Sequence, residues 1–205
     1  MAHYFDMNPE IPSQTNEFLF ETEGRTFSFT TDRGVFSRSG LDVGSEIFLR
    51  ELIRDLRDDP ISGRLIDVGC GYGVLGIILK RVFPAFELTL TDVNRRALEL
   101  TRKNLKANNI SYAKVVESDG FSALESEYFD VMVTNPPIRA GKSTVYRIFE
   151  EAKSHLRTGG RLYAVVGKKQ GAPSLERYLQ GLYGDCRRIG RDKGFWVFRC
   201  DVRSA

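Results

Sequence analysis

Asp67-Val68-Gly69-Cys70-Gly71-Tyr72-Gly73-Val74-Leu75-Gly76 joins a short apolar run, Arg64–Val68, to a helical pattern over Val74–Val82. Two signatures overlap in it. Gly71, Gly73 and Gly76 satisfy G-x-G-x-x-G, and Asp92 follows about 20 residues on, the arrangement of a dinucleotide site. The same residues also read D-x-G-C-G-x-G, with an acid at the strand end and a glycine at every second position. A tight turn needs some of these glycines for its own geometry. The longer pattern asks for more, because it strips Cβ atoms from a whole stretch of loop and lets a ligand lie on bare backbone. Asp92 closes the next strand candidate, where its two carboxylate oxygens can accept both hydroxyls of a ribose.

Working outward from that loop, strands and helices alternate. Arg64–Val68, Phe86–Thr91, Ala113–Glu117, Phe129–Thr134 and Arg161–Val166 read as buried strands. Helices are predicted over Val74–Val82, from Asn94 to about Asn108 with Asp92 or Asn94 as cap, over Thr144–Leu156 up to Gly159-Gly160, and over Ser174–Leu182. Asp185–Gly190 and Gly194–Cys200, joined at Asp192-Lys193-Gly194, form a closing hairpin. Upstream, Gly44–Arg57 has helical spacing, and Glu17–Phe20 and Thr26–Thr30 alternate in period two around Glu23-Gly24. The expected fold is α/β: a doubly wound, mostly parallel seven-stranded sheet with a C-terminal antiparallel hairpin, preceded by a short N-terminal β-hairpin. With no repeat or long linker in 205 residues, we expect a single domain over 1–205, residues 1–40 being the hairpin extension and 41–205 the core.

Composition narrows the class. Hydrophobic residues at 41% and charged residues at 28% are those of an ordinary globular chain, which excludes fibrous and disordered proteins. No apolar run reaches the roughly 20 residues of a membrane helix, and MAHYFDMNPE is not a secretory signal. Cys70, Cys186 and Cys200 form no CxxC pair, so we expect a reducing, cytoplasmic setting with neither a disulfide frame nor a zinc site. Only His3 and His155 are present, which argues against any metal. The net charge of +3 is uneven: residues 1–138 carry 15 Lys/Arg against 21 Asp/Glu, and residues 139–205 carry 15 against 6. A basic third on an acidic body predicts a face for polyanion.

Asn135-Pro136-Pro137-Ile138 follows the fourth strand candidate. Two prolines end a strand and stiffen the chain, so a structural reading exists. The chemical one is sharper. An exocyclic or amide NH2 is a poor nucleophile because its lone pair is delocalised. The Asn135 side-chain oxygen and the Pro136 carbonyl can each accept one N–H, which turns the lone pair outward and stabilises charge growing on nitrogen.

Together these motifs resemble the class I S-adenosylmethionine-dependent methyltransferases. Asp67–Gly73 is similar to their first motif, Thr91-Asp92-Val93-Asn94 to the ribose-binding acid, and Ser118-Asp119-Gly120-Phe121 to the adenine-binding segment. The resemblance implies that Asp119 accepts from the adenine amino group while the Gly120 or Phe121 amide faces a ring nitrogen. It implies a cofactor set of Asp67, Gly69, Cys70, Gly71, Gly73, Asp92, Val93, Asp119, Gly120, Phe121 and Asn135. Asn135-Pro136-Pro137-Ile138 resembles the N/D-P-P-aromatic motif of amino-directed members and would be catalytic. Ile138 stands where those enzymes carry an aromatic that stacks on the target base, and Phe36 and Tyr146 are the candidate replacements.

Gly34–Ser45 resembles the entry segment of the small-domain branch, over roughly residues 30–200, and that branch includes rRNA guanine-N2 methyltransferases. Its longer members carry an extra N-terminal methyltransferase-like domain, for which this chain has only the hairpin. The implied activity is methyl transfer from S-adenosylmethionine to guanine N2 of ribosomal RNA, 16S first, on RNA or a ribosomal subunit. Arg139, Lys142, Lys168, Lys169, Arg187 and Arg188 are the expected phosphate contacts, with Lys168-Lys169 foremost. Three rivals stand beside this reading. A protein glutamine-N5 methyltransferase uses the same Asn-Pro-Pro chemistry; a nicotinamide oxidoreductase would use only the glycine loop; a non-catalytic RNA-binding scaffold would need neither Asp92 nor Asn135.

Overall fold

The computed structural model describes residues 12–33, 35 and 40–203. Strands β1 (Asn16–Thr22) and β2 (Arg25–Thr31) form a separate antiparallel pair that sets Phe18 against Phe29 and Phe20 against Phe27. Glu23 and Gly24 turn between them with φ of 54° and 65°, the two-residue geometry whose twist matches a hairpin. Helix α1 (Val43–Asp58) follows, then β3 (Arg64–Val68), α2 (Val74–Val82), β4 (Glu87–Asp92), α3 (Arg95–Ala107), β5 (Ala113–Glu117) and β6 (Phe129–Thr134). After β6 come α4 (Lys142–His155), β7 (Leu156–Gly167), α5 (Ala172–Tyr183), β8 (Asp185–Asp192) and β9 (Phe195–Asp201).

The main sheet has seven strands in the order β5-β4-β3-β6-β7-β9-β8. β3 to β7 run parallel, and β9 and β8 add antiparallel at one edge. Both faces are covered, so successive residues of a strand bury in opposite directions. Leu65, Val131 and Val133 pack under α1, α2 and α3, while Ile66, Val68 and Met132 pack under α4 and α5. That is the expected doubly wound sheet with its terminal hairpin.

Helix α3 grips the N-terminal hairpin through side-chain amides. Asn104 accepts from Thr30 N (2.8 Å) and donates to Thr30 O (2.9 Å), and Asn108, one turn on, does the same to Ser28 (3.1 and 2.8 Å). Each carboxamide imitates the backbone of a neighbouring strand. Asn104 also donates to the Tyr72 carbonyl (2.9 Å), which ties the hairpin to the glycine loop.

Two expectations need correcting. The fourth predicted helix stops at His155, and β7 already begins at Leu156, paired with Phe129. Gly159, at φ 81°, lies within that strand beside a register shift, so the glycines bend a strand rather than end a helix. Cys186 and Cys200 are joined in a disulfide. They are direct register partners on β8 and β9, a closeness that the 14-residue separation conceals until the hairpin is formed. The cysteines therefore give no support to a reducing compartment. No helix among the described residues is long and apolar enough to cross a membrane.

Candidate active site

β3 and β6 are hydrogen-bonded neighbours, yet the chain leaves β3 toward β4 and leaves β6 toward β7, on opposite sides. A sheet splits its connections at such a point and opens a crevice beyond the strand ends. The glycine loop follows β3 and Asn135-Pro136-Pro137 follows β6, so topology brings the two most telling motifs to one crevice. A cavity of about 360 Å³ opens there, lined by both motifs together with Asp92, Val93, Asp119 and the start of α1.

The loop glycines divide by task. A Cβ on Gly69 or Gly71 would meet nothing within 4 Å, so these residues expose backbone to open space. A Cβ on Gly76 would lie 2.8 Å from Leu90 Cδ2, so that glycine lets α2 pack on the sheet. The amides of Gly69 and Cys70 both reach Thr91 O at 2.9 Å and pin the loop to the end of β4. Asp92 stands at that end. Its Oδ2 accepts from Gly71 N (2.8 Å) and its Oδ1 from Asn94 N (2.9 Å), which leaves each oxygen lone-pair capacity for a further donor. Burial raises its carboxyl above the usual carboxylate range, and the backbone donors act against that rise.

Asp67 takes a different place. It is buried behind the loop, where Oδ2 accepts from Gly76 N at 3.0 Å, and it does not line the cavity. Burial first, then the charge of Asp92, pushes its carboxyl up to about 7. Cys70 lines the cavity as a residue, its sulfur lies 3.8 Å from Thr101 Oγ1, and burial raises its thiol well above the ordinary range.

Past β5, Asp119 and Gly120 line the cavity, and Arg147 of α4 donates to Asp119 Oδ1 at 2.6 Å. Phe121 turns away. Its ring stacks on His155 at 4.5 Å between centroids, and its amide donates to Glu151 Oε2 at 3.3 Å. Of the two amides expected to face an adenine, Gly120's is the one at the cavity.

At the opposite end, Asn135 Nδ2 donates to Ser45 Oγ at 3.0 Å, which leaves Oδ1 as its acceptor atom. Ser45 is held by Asp42, the α1 N-cap, whose Oδ1 accepts from Gly44 N (3.0 Å) and Ser45 N (3.1 Å). Pro137, at φ −74° and ψ 75°, forms an inverse γ-turn in which Ile138 N donates to Pro136 O at 2.8 Å. The Pro136 carbonyl is thereby fixed with one lone pair spare. Neither Asp42 nor Ser45 was singled out by residue pattern. The only signal was their place in the Gly34–Ser45 segment, because a Ser 90 residues away from its partner carries no local mark.

Ile138 packs toward the α4–α5 core instead of the cavity. Tyr146 does likewise: its ring stacks on Tyr178 at 3.7 Å, and Lys142 Nζ lies 4.9 Å from its centroid. Phe36 lies outside the described residues. The expected cations separate into two groups. Arg139, Lys168 and Lys169 sit in short 3-10 turns just beyond β6 and β7, at the cavity end of the sheet, and with Lys142 make no ion pair among the described residues. Arg187 and Arg188 lie in the first half of β8, on the sheet edge; Arg187 faces Asp201 (3.5 Å), and Arg188, in register with Phe198, faces Glu176 (3.8 Å) and lies over Trp196.

One end of this crevice thus offers a diol acceptor beside bare backbone, and the other offers two fixed acceptors for an NH2 group. Known proteins resemble the chain in sequence and fold. The YbxB protein of Bacillus subtilis is 38% identical over 96% of this chain and 96% of its own length. Ribosomal RNA small subunit methyltransferase C of Haemophilus influenzae is 37% identical over 80% of this chain, and this chain matches only 49% of that enzyme. The solved T. thermophilus 16S rRNA N2 guanine methyltransferase, in complex with S-adenosylmethionine and guanosine, superimposes with a TM-score of 0.82 at 27% identity over 95% of this chain and 52% of its own. The chain spans about half the length of those rRNA methyltransferases. The methyltransferase small domain profile matches residues 26–199, and the chain belongs to that family.

Proposed function

We propose that this chain transfers the methyl group of S-adenosylmethionine to an exocyclic amino nitrogen, guanine N2 of ribosomal RNA, with 16S rRNA the first choice. The observation that carries the reading is the Asn135–Ser45 hydrogen bond of 3.0 Å, which commits the Asn135 amide nitrogen and presents its oxygen to the cavity shared with Asp92. The donor fits the residues present. Asp92 accepts the ribose hydroxyls, Gly69 and Gly71 offer backbone where a Cβ would intrude, and Asp119 with the Gly120 amide meets the adenine edge. The bound cofactor supplies a methyl group on a sulfonium, ready for displacement.

The chain's own residues prepare the nucleophile. Asn135 Oδ1 and Pro136 O each accept one N–H of the acceptor amine, which frees its lone pair from the ring. A nitrogen–carbon bond forms as the sulfur–carbon bond breaks, and the extra proton leaves to water, since Asn135 is no base. A base within a helix must leave its stack to enter such a crevice, so RNA loops or an assembling subunit are the substrates in view. Residues 41–205 would act as one catalytic core in the cytoplasm, with the unpaired Arg139, Lys142, Lys168 and Lys169 on phosphate. Those cations favour RNA over a glutamine-bearing protein, which offers them nothing.

The test is mass spectrometry of rRNA nucleosides from a deletion strain, mapped to position. One N2-methylguanosine is expected to disappear and to return when the purified protein and S-adenosylmethionine are added. An unchanged rRNA profile, with a missing methylglutamine elsewhere, would overturn the reading.

A further inference from the structure

The second oxygen of Asp42 has no task in the fold. Oδ1 alone caps α1, accepting from Gly44 N and Ser45 N, and an Asn or Ser in that place would cap as well. Oδ2 is buried without a hydrogen-bond partner among the described residues. A carboxylate oxygen out of water with no donor is costly, and native structures keep such atoms for a ligand or a strained function. Asp42 lines the cavity beside Ser45 and Asn135. Three hydrogen bonds, Asp42 to Gly44 and Ser45 and Ser45 to Asn135, hold the carboxylate and the carboxamide in fixed relation.

We infer that Asp42 selects the acceptor base by accepting the N–H of the ring nitrogen adjacent to its amino group. This rests on the reading that the acceptor is an exocyclic amine held by Asn135. Guanine carries that pair, an amino group on C2 and a hydrogen on N1 next to it. Adenine, 2-aminopurine and 2,6-diaminopurine present a bare N1 lone pair, which a carboxylate oxygen repels. A site built to hydrogen-bond one group rejects the analogue lacking it, because its own buried atom is then left unpaired. The contact also serves the chemistry. Drawing on the N1–H shifts electron density into the ring and makes the neighbouring amino nitrogen a better nucleophile.

The experiment compares wild type with Asp42→Asn, which keeps Oδ1 as N-cap, and with Asp42→Ser as a second capping residue. Protein saturated with S-adenosylhomocysteine is titrated with guanosine, 1-methylguanosine and 2-aminopurine riboside, followed by NMR. Wild type is expected to prefer guanosine over 2-aminopurine riboside by about 10- to 150-fold, the range for a hydrogen bond to a charged group. Asp42→Asn, whose amide nitrogen can donate to a bare N1, should bring the ratio to about one, and affinity for S-adenosylhomocysteine should not move. A ratio unchanged in both variants would overturn the inference. So would a loss of S-adenosylhomocysteine affinity at constant ratio, which would hand Asp42 to the cofactor's ammonium group. Either result leaves guanine methylation standing if the N2-methylguanosine still depends on the gene. If wild type binds no nucleoside and the rRNA profile is unchanged in the deletion strain, the functional reading fails, and this inference with it.

Discussion

The two ends of the sheet are built from the same kinds of residue and use them in opposite ways. At the end away from the crevice, Arg199 is buried among carboxylates, at 2.9 Å from Asp55, 2.8 Å from Asp59 and 2.6 Å from Asp201. Arg161 joins the same group through Asp59 at 2.8 Å, and the Tyr163 hydroxyl donates to Asp55 at 2.7 Å. These contacts bolt the end of α1 to β7 and β9. At the crevice end, among the described residues, Arg139, Lys142, Lys168 and Lys169 have no carboxylate partner and Asp42 Oδ2 has no donor. At the far end charge is paired to hold the fold, whereas these rim groups stay unpaired among the described residues even though Asp119, in the same cavity, is paired with Arg147. A surplus counted along the chain cannot make this distinction, because much of the basic surplus of residues 139–205 is spent inside the molecule.

The sharpest way to break the comparison is at Arg199. Arg199→Met keeps the apolar stem and removes the guanidinium from three carboxylates. Leaving buried charge without its partner costs about 3–5 kcal/mol, read as a lower urea midpoint, while affinity for S-adenosylhomocysteine stays at the wild-type value. Arg203→Met, on an exposed pair with Asp185, should cost about 0–1 kcal/mol. If Arg199→Met left stability intact and abolished RNA binding, the far end would be the working surface and the contrast would be reversed.

Why one end was legible in the sequence and the other was not follows from the range of the interactions. The β–α alternation, the glycine loop and Asn135-Pro136-Pro137 are local patterns, and right-handed crossovers bring local patterns following adjacent strands together. The position of Asp92 at the cavity, at the end of β4, came from the same source. Asp67 belongs to the same motif, yet its hydrogen bond to Gly76 places it behind the loop, and no spacing separates those two roles. The partner of Asn135 lies 90 residues away, and Asp55, one of the three carboxylates around Arg199, lies 144 away. Such pairs form only when α1 is laid across the sheet. The choice left open between the Gly120 and Phe121 amides has a related cause, since the Phe121 amide donates to Glu151, 30 residues on, and no local pattern shows that.

Asn135→Ala is the matching test of the crevice end. It should lower the methyl-transfer rate about 10²–10³-fold, or about 2.7–4 kcal/mol by analogy with the loss of one preorganised group. Stability and cofactor affinity should be unmoved, the reverse of the Arg199 pattern. Asn135→Asp should recover part of the rate, because it retains an acceptor oxygen. Ser45→Ala acts only through Asn135 and should cost roughly 2- to 12-fold, the value of one neutral hydrogen bond. Single-turnover transfer at the wild-type rate in Asn135→Leu would make Asn135-Pro136-Pro137 a structural turn.

The smallest effect concerns the lysines just past β7. Each cation that neutralises a phosphate releases counterions and steepens the fall of affinity with salt, by about 0.7 in the log–log slope on single strands and about 0.9 on duplex. Lys168→Gln with Lys169→Gln should therefore flatten the slope by about 1.4–1.8 and weaken RNA binding roughly 25- to 60-fold at 0.1 M salt. Arg187→Gln with Arg188→Gln removes as much formal charge from the edge strand β8. There Asp201 and Glu176 already oppose it, so the slope should stay as in wild type. The comparison is decided by the difference between the two double variants, because net charge changes equally in both. Equal flattening would mean that RNA senses only the total charge of the chain, and the unpaired rim would lose its meaning.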